Sequence, residues 1–239
     1  MSGRAEGAAC ARLRTGFEED RIVLKFLAGT GAGILLALAQ SAQAKPIAFA
    51  DGTTVMAEYG AGTMREVQAF YAPYYWLSLG AAVQRTDSDI DGGRRDIGTL
   101  RANYLLKRWN LDDAQANVFV WGGLGSATGN RFRGSVLDRN AGFQADYETR
   151  KVYFSLMSDL HESERYSQRI DTLQLGFAPY EHDYKDLATW FVVQARDYTG
   201  GLRRGVEWAA LVRLFKGGAW VEAGLTAEGK PQLMAMFNF

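Results

Sequence analysis

Apolar and polar residues alternate along most of this chain. Between Trp76 and Arg85, Leu77, Leu79, Ala81 and Val83 share one face of an extended segment, and Ser78, Gly80, Ala82 and Gln84 share the other. The same period sets Leu100, Ala102, Tyr104 and Leu106 against Thr99, Arg101 and Asn103. It recurs with Ala141, Phe143, Ala145 and Tyr147 against Gln144, Asp146 and Glu148, and with Val152, Phe154, Leu156 and Leu160 against Ser155, Asp159 and His161. Successive side chains of a strand point to opposite faces, so a period of two predicts strands with one apolar face. No stretch of similar length after residue 45 carries the 3.6 period of an amphipathic helix.

Twelve such segments are predicted, near 53–60, 64–72, 75–86, 94–106, 114–126, 136–149, 151–161, 169–178, 187–198, 204–215, 218–227 and 231–239. Strands of soluble sandwiches run to about five or six residues. These run nearer ten, the length that crosses a bilayer at a tilt. The expected fold is an all-β transmembrane antiparallel β-barrel of about 12 strands, with 10 and 14 the neighbouring counts. Arg101, Asn103, Gln144, Asp146, Glu148, Asp159, Arg213 and Glu222 sit on the polar faces and are expected to line its lumen.

An even strand count puts both termini at one end. That end has tight turns at Pro73, Arg150 and Gly217, and the opposite end has the polar loops 86–93, 127–134, 162–168 and 198–202. Aromatic rings crowd the tight-turn end: Tyr71, Tyr74, Tyr75, Trp76, Trp109, Tyr147, Tyr153, Phe177, Tyr180, Phe215, Trp220, Phe237 and Phe239. Rings gathered at one level are expected to form an interfacial girdle. Arginine gathers at the loop end instead, for example Arg94, Arg95, Arg131, Arg133, Arg165 and Arg203.

The first 44 residues read as a leader. Phe26–Ala39 carries no charge, follows Arg21 and Lys25, and is followed by Ala42-Gln43-Ala44, an A-x-A exit. That pattern is a secretory signal peptide, because the apolar run falls short of the ~20 residues of a spanning helix. Cleavage after Ala44 leaves 45–239 as the barrel and removes the single cysteine, Cys10.

The final segment, Pro231–Phe239, ends on an apolar face of Leu233, Ala235, Phe237 and Phe239. It resembles the C-terminal signal of Gram-negative outer-membrane β-barrel proteins, which the barrel assembly machinery reads in that class. The resemblance implies an outer-membrane location, biogenesis through that machinery, and contact with outer-membrane lipids and lipopolysaccharide.

Composition narrows the chemistry. Lys plus Arg number 27 and Asp plus Glu number 27, so no global field recruits nucleic acid. One cysteine and two histidines leave little for a disulfide or metal site, and no cofactor is expected. His161 and Ser163 form a His-x-Ser element like that of outer-membrane phospholipase A and lipid A deacylase. Its parity, however, places His161 on the polar face, and strand pairing across 162–168 is expected to set Arg169, not an acid, opposite the ring. Asp87, Asp89 and Asp91 imitate the first half of a calcium loop, but Gly98 stands where the bidentate Glu belongs. The function expected is therefore a narrow channel or a surface-structural barrel with a mixed-charge lumen, rather than an enzyme. The alternatives are a lipid hydrolase using His161 and Ser163, or a subunit of an envelope or export assembly.

Overall fold

The computed structural model describes residue 47 and residues 50–183 and 185–239; the expected leader, with Cys10, lies outside the described residues. Twelve strands follow in chain order. They are β1 (Gly52–Gly60), β2 (Met64–Tyr74), β3 (Leu77–Asp87), β4 (Arg94–Asn110), β5 (Ala114–Gly129) and β6 (Val136–Thr149), then β7 (Val152–Glu162), β8 (Ser167–Phe177), β9 (Ala188–Tyr198), β10 (Glu207–Lys216), β11 (Ala219–Thr226) and β12 (Pro231–Asn238). Each pairs antiparallel with its sequence neighbours, and β1 pairs with β12, which closes the ring. The longest overruns of the expected ends are β4, which continues to Asn110, and β5, which continues to Gly129. Their apolar alternation stops earlier, but backbone pairing continues to satisfy both chains beyond it.

The closing seam runs from Thr54↔Asn238 to Gly60↔Gln232. It is continued by the Thr53 N–H donating to the Phe239 carbonyl at 2.6 Å and the Phe239 N–H donating to the Thr53 carbonyl at 3.0 Å. Both ends of the described barrel therefore lie on the side of the short turns. Leu233, Phe237 and Phe239 face outward and are exposed, with Ala235 half-buried between them.

The outer surface is the apolar face of each strand. Val67, Val83, Leu100, Leu124, Val193 and Leu225 are all more than half exposed, and Leu100 reaches 72%. An aqueous surface would not hold a belt of this kind, whereas hydrocarbon does. At the turn end Tyr71, Tyr74, Tyr75, Trp109, Tyr147, Phe177 and Phe237 point outward, where a girdle was expected. Tyr153, Phe215 and Trp220 correct that expectation, because they are buried inside the bore. Parity is the reason: Tyr153 shares its face with Ser155, Phe215 with Arg213, and Trp220 with Glu222.

Those inward rings, with Trp190, Val192, Leu211 and Met236, make a packed apolar cluster on the β7–β12 side of the turn end. In a separate cluster Ile47, 1% exposed, packs against the inward-facing Ala72, Leu105 and Phe119. The turn end of the bore is thus apolar along β7–β12, with Asn117, Asp146 and Glu148 facing it from β5 and β6, and the middle is polar.

A lipid-facing charge separates this architecture from a water-soluble barrel. Leu100→Arg should cost about 2–4 kcal/mol of unfolding free energy in lipid vesicles. Asp112→Asn, in the exposed turn between β4 and β5, should cost nothing measurable. Denaturant titration followed by tryptophan fluorescence reads both, and equal stabilities would contradict the membrane-facing assignment.

Candidate functional site

The eight residues expected in the lumen, Arg101, Asn103, Gln144, Asp146, Glu148, Asp159, Arg213 and Glu222, all face the bore and are at most 8% exposed. They do not form one cluster. Asn103 donates to Ser78 at 3.0 Å, and Asn117 donates to Asp146 at 2.6 Å, both local contacts on the wall. Gln144 donates to Asp146 at 3.4 Å, and two larger networks, on opposite sides of the bore, hold Arg101, Asp159, Arg213 and Glu222.

The first begins at Glu222 on β11. Arg213 Nε donates to Glu222 at 2.7 Å, and its guanidinium lies over the rings of Trp220 (4.3 Å) and Tyr153 (4.6 Å). Arg213 Nη2 donates to Gln174 at 2.8 Å, Gln174 to Gln194 at 2.8 Å, Gln194 to Gln232 at 2.8 Å, and Gln232 to Glu207 at 2.8 Å. The step from Gln194 on β9 to Gln232 on β12 passes over two intervening strands. Ala209 stands opposite Gln194 on β10, and Gly224 stands opposite Gln232 on β11. Residues this small leave the amides room to meet. Arg196 on β9 reaches still farther, donating to Glu58 on β1 at 2.6 Å and to Thr172 at 3.2 Å. Sequence reading found Arg213 and Glu222 but missed Arg196, Glu58 and the three glutamines. Their inward parity was legible; their partners were not.

The second network centres on Arg101. Its guanidinium donates to Gln68 at 2.6 Å and lies between the Phe70 ring (4.8 Å) and the Trp121 ring (5.3 Å). Each ring is laid against a glycine. A Cβ on Gly80 would meet the Phe70 ring at 2.7 Å, and a Cβ on Gly142 would meet Trp121 at 2.4 Å. Trp121 Nε1 donates to Asp159 at 2.7 Å, and Asn140 donates to the same carboxylate at 2.8 Å.

Asp159 also receives His161. The ring's Nε2 lies 3.3 Å from Asp159, and its Nδ1 lies 2.8 Å from Asp138, which in turn accepts from Tyr166 at 2.7 Å. The expected acid-free surroundings of His161 are corrected here. Gln168, not Arg169, is its partner on β8, and its carboxylates come from β6 and from its own strand. Both ring nitrogens are engaged, and Ser163 Oγ has no hydrogen-bond partner. A serine nucleophile needs a free imidazole nitrogen within hydrogen-bond reach. His161 offers none to Ser163.

Side chains from nearly opposite walls meet at the loop end. Gln168 on β8 donates to Gln84 on β3 at 2.9 Å, and Arg95 on β4 donates to Gln168 at 3.0 Å. Above them, loop 199–206 folds over the mouth, its inward bend using positive φ at Gly200 (74°) and Gly201 (80°). Leu202, 0% exposed, packs on Met64, Ile170 and Tyr198. The loop is latched: Ser88 donates to the Gly201 carbonyl at 2.7 Å, and Arg203 pairs with Asp89, Glu207 and Glu228. Lys230 joins Asp89 at 3.1 Å, while Asp91 accepts from the Gly93 N–H at 2.9 Å. Asp89 and Asp91 therefore serve separate partners, and Asp87 ends β3. The Arg203 hydrogen bond holds the Glu228 carboxyl below its ordinary value, which keeps the latch charged in mild acid.

Between the Gln84–Gln168 crossing and the apolar cluster lies a cavity of about 120 Å³. Arg101, Asp159, Arg196, Arg213 and Glu222 reach its wall, with Met56 and Met234 among the apolar contributors. That volume holds several waters, since one water needs about 10–15 Å³ on this measure.

Fold and bore together define a transmembrane β-barrel with an occluded, polar-centred lumen. No protein-family model matches the chain, and no curated protein sequence matches it. Solved structures similar in fold include the following two. One is the KdgM porin in complex with disordered oligogalacturonate, 11% identical, with a TM-score of 0.44 over 79% of this chain and 98% of that one. The other is the KdgM porin, 10% identical, with a TM-score of 0.43 and the same coverage. Neither value speaks to a shared ligand.

The Arg213–Glu222 pair gives a direct test of the bore network. Glu222→Gln leaves a buried guanidinium without its countercharge and should lower unfolding free energy by about 3–5 kcal/mol. Replacing both members together, Arg213→Met with Glu222→Leu, should recover most of that loss. If the single and double variants unfold alike in detergent, the pair does not hold the bore together.

Proposed function

We propose that this chain is an outer-membrane barrel working as a narrow channel, with its bore closed in this structure. The observation that carries this reading is the cavity kept inside the bore and reached by buried charged and amide side chains. A barrel that only had to stand in the membrane could fill its interior with apolar side chains and avoid desolvating charge. This one retains two ion pairs, Arg196–Glu58 and Arg213–Glu222, and a ladder of amides around that cavity. On the loop side the closure is made of flexible polar side chains and a latched loop, which rotamer changes and loop motion can open without moving the wall.

The turn end supports the second reading, a surface-structural barrel, because its apolar cluster would have to part for conduction. The leader, the outward apolar face of Leu233, Ala235, Phe237 and Phe239, and the lipid-facing belt support the outer-membrane location. The C-terminal face is proposed as the element read by the barrel assembly machinery, and outer-membrane lipid as the surrounding solvent. The loop end would then face the cell exterior.

The test has two parts. Expressed with its leader, the full chain should fractionate with the outer membrane and migrate anomalously on gels unless heated. In planar bilayers it should show small, infrequent openings, far below those of wide porins with aqueous channels. The paired change Gln84→Ala with Gln168→Ala, which removes the crossing, should raise the open probability. Conductance absent from both forms would favour the structural barrel. Fatty-acid release from phospholipid that vanished in both His161→Ala and Ser163→Ala would favour the hydrolase.

A further inference from the structure

Guanidiniums outnumber carboxylates at one place on the loop end. A cleft of about 410 Å³ opens there, lined by Arg95, Arg131, Phe132, Arg133, Arg165 and Tyr166. Four of its six lining residues are arginines. Arg131 has Asp91 at 3.5 Å, and Arg165 has its sequence neighbour Glu164 at 3.8 Å, both pairs being solvent-exposed. Arg95 spends its donors on neutral acceptors, the Gln168 side chain and the Gly200 carbonyl. Arg133 makes no ion pair among the described residues. Two carboxylates against four guanidiniums leave two positive charges in one cleft. Three other guanidiniums at this end are matched: Arg203 meets three acids, and Arg85 and Arg169 meet Asp96 and Asp171.

The cleft is also built rather than loose. Asn130 accepts from the Arg94 N–H at 2.8 Å and donates to the Gly92 carbonyl at 2.9 Å, and Arg131 donates to the Asp91 carbonyl, so loop 130–135 is clamped to loop 88–93. Phe132 stacks on Tyr166 with ring centroids 6.1 Å apart, and Arg95 lies over the Tyr166 ring at 5.0 Å. Tyr166 is anchored below by its hydrogen bond to Asp138; burial and that carboxylate push its phenol up, so it stays a neutral donor. The aromatic pair forms a fixed apolar side beside the guanidiniums.

We propose that this cleft is a binding site for a phosphate monoester carried on a sugar. Charge selects the phosphate. A monoester brings about −1.5 to −2 charges near neutral pH, which meets the residual charge of the cleft, whereas one carboxylate would meet half of it. Guanidinium forks suit phosphate oxygens in a bidentate geometry, and Arg133 and Arg165 have donors to spend. Phe132 offers its surface to the flat apolar side of a sugar ring. The site lies at the mouth and does not require the bore to conduct. The phosphate could belong to a soluble sugar phosphate or to the phosphorylated head of a glycolipid in the adjoining leaflet, and the chemistry is common to both.

Calorimetry on the purified full chain in detergent tests this with glucose 6-phosphate, glucuronate and glucose. Vesicles containing lipopolysaccharide, intact or enzymatically dephosphorylated, form the second arm. A phosphate-bearing probe should bind at least about tenfold more tightly than its phosphate-free counterpart, and Arg133→Ala with Arg165→Ala should weaken it about tenfold or more. Binding of glucose 6-phosphate would identify a soluble source as sufficient; binding confined to intact lipopolysaccharide would identify the glycolipid. Heat-modifiable migration checks that the double variant is folded, and Lys185→Gln in the opposite turn should leave binding unchanged. If neither phosphorylated probe is preferred, or the folded double variant binds as well as the parent, the proposal is wrong.

Discussion

A sheet standing in hydrocarbon can have no edge, because each unpaired backbone group there costs several kcal/mol. The seam between β1 and β12 meets that constraint, down to the reciprocal Thr53–Phe239 pair that continues it. Once the ring is closed, side-chain parity ceases to be a local property. Every odd or even choice along twelve strands now decides between lipid and bore. The apolar face of Leu100 and Leu124 is thereby committed to the outside and the face of Arg101 to the inside.

Ring size then sets what the inside must do. Eight strands enclose a bore that side chains fill almost automatically, and sixteen leave an open aqueous channel. Twelve fall between. Here the gap is bridged by long side chains that cross it: Arg196 to Glu58, Gln194 to Gln232 and Gln168 to Gln84. Small residues are needed wherever something long must pass or lie flat. Ala209 and Gly224 stand beside the crossing amides, and Gly80 and Gly142 lie beneath the rings that hold Arg101. Much of this chain's glycine is thus explained by packing inside the bore as well as by turns.

Strand positions were legible in the sequence because the period of two survives any tertiary arrangement: Ser78, Gln84 and Asp159 face inward simply by alternation. The same rule, applied strictly, would have turned Tyr153, Phe215 and Trp220 inward too. Grouping aromatic residues by height alone concealed that. Partners were a different matter. Asp138 reaches His161 from β6, and Gln84 meets Gln168 across five strand intervals; neither pairing follows from sequence separation. They depend on strand tilt and stagger, which exist only after closure. The arginine-rich loops were visible as composition, but whether each guanidinium met an acid was decided by which loops folded onto one another.

The two ends of the bore are closed by different physics, and that difference bears on how such a barrel could open. Trp190, Phe215, Trp220 and Met236 narrow the turn end by apolar contact on one side. Parting them exposes hydrophobic surface to water at about 25 cal/mol for each Å². Gln84, Gln168 and Arg95 close the loop end by hydrogen bonds that water can replace nearly one for one, so separating them has a small net cost. The latch above adds Arg203 and Lys230, whose ion pairs with Glu228 and Asp89 are partly exposed and weakened by salt. Opening should therefore begin at the loops and be limited at the turns. A charged solute entering from the loop side would meet unmatched guanidiniums first, then paired charges, and last an apolar cluster that faces Asp146 and Glu148.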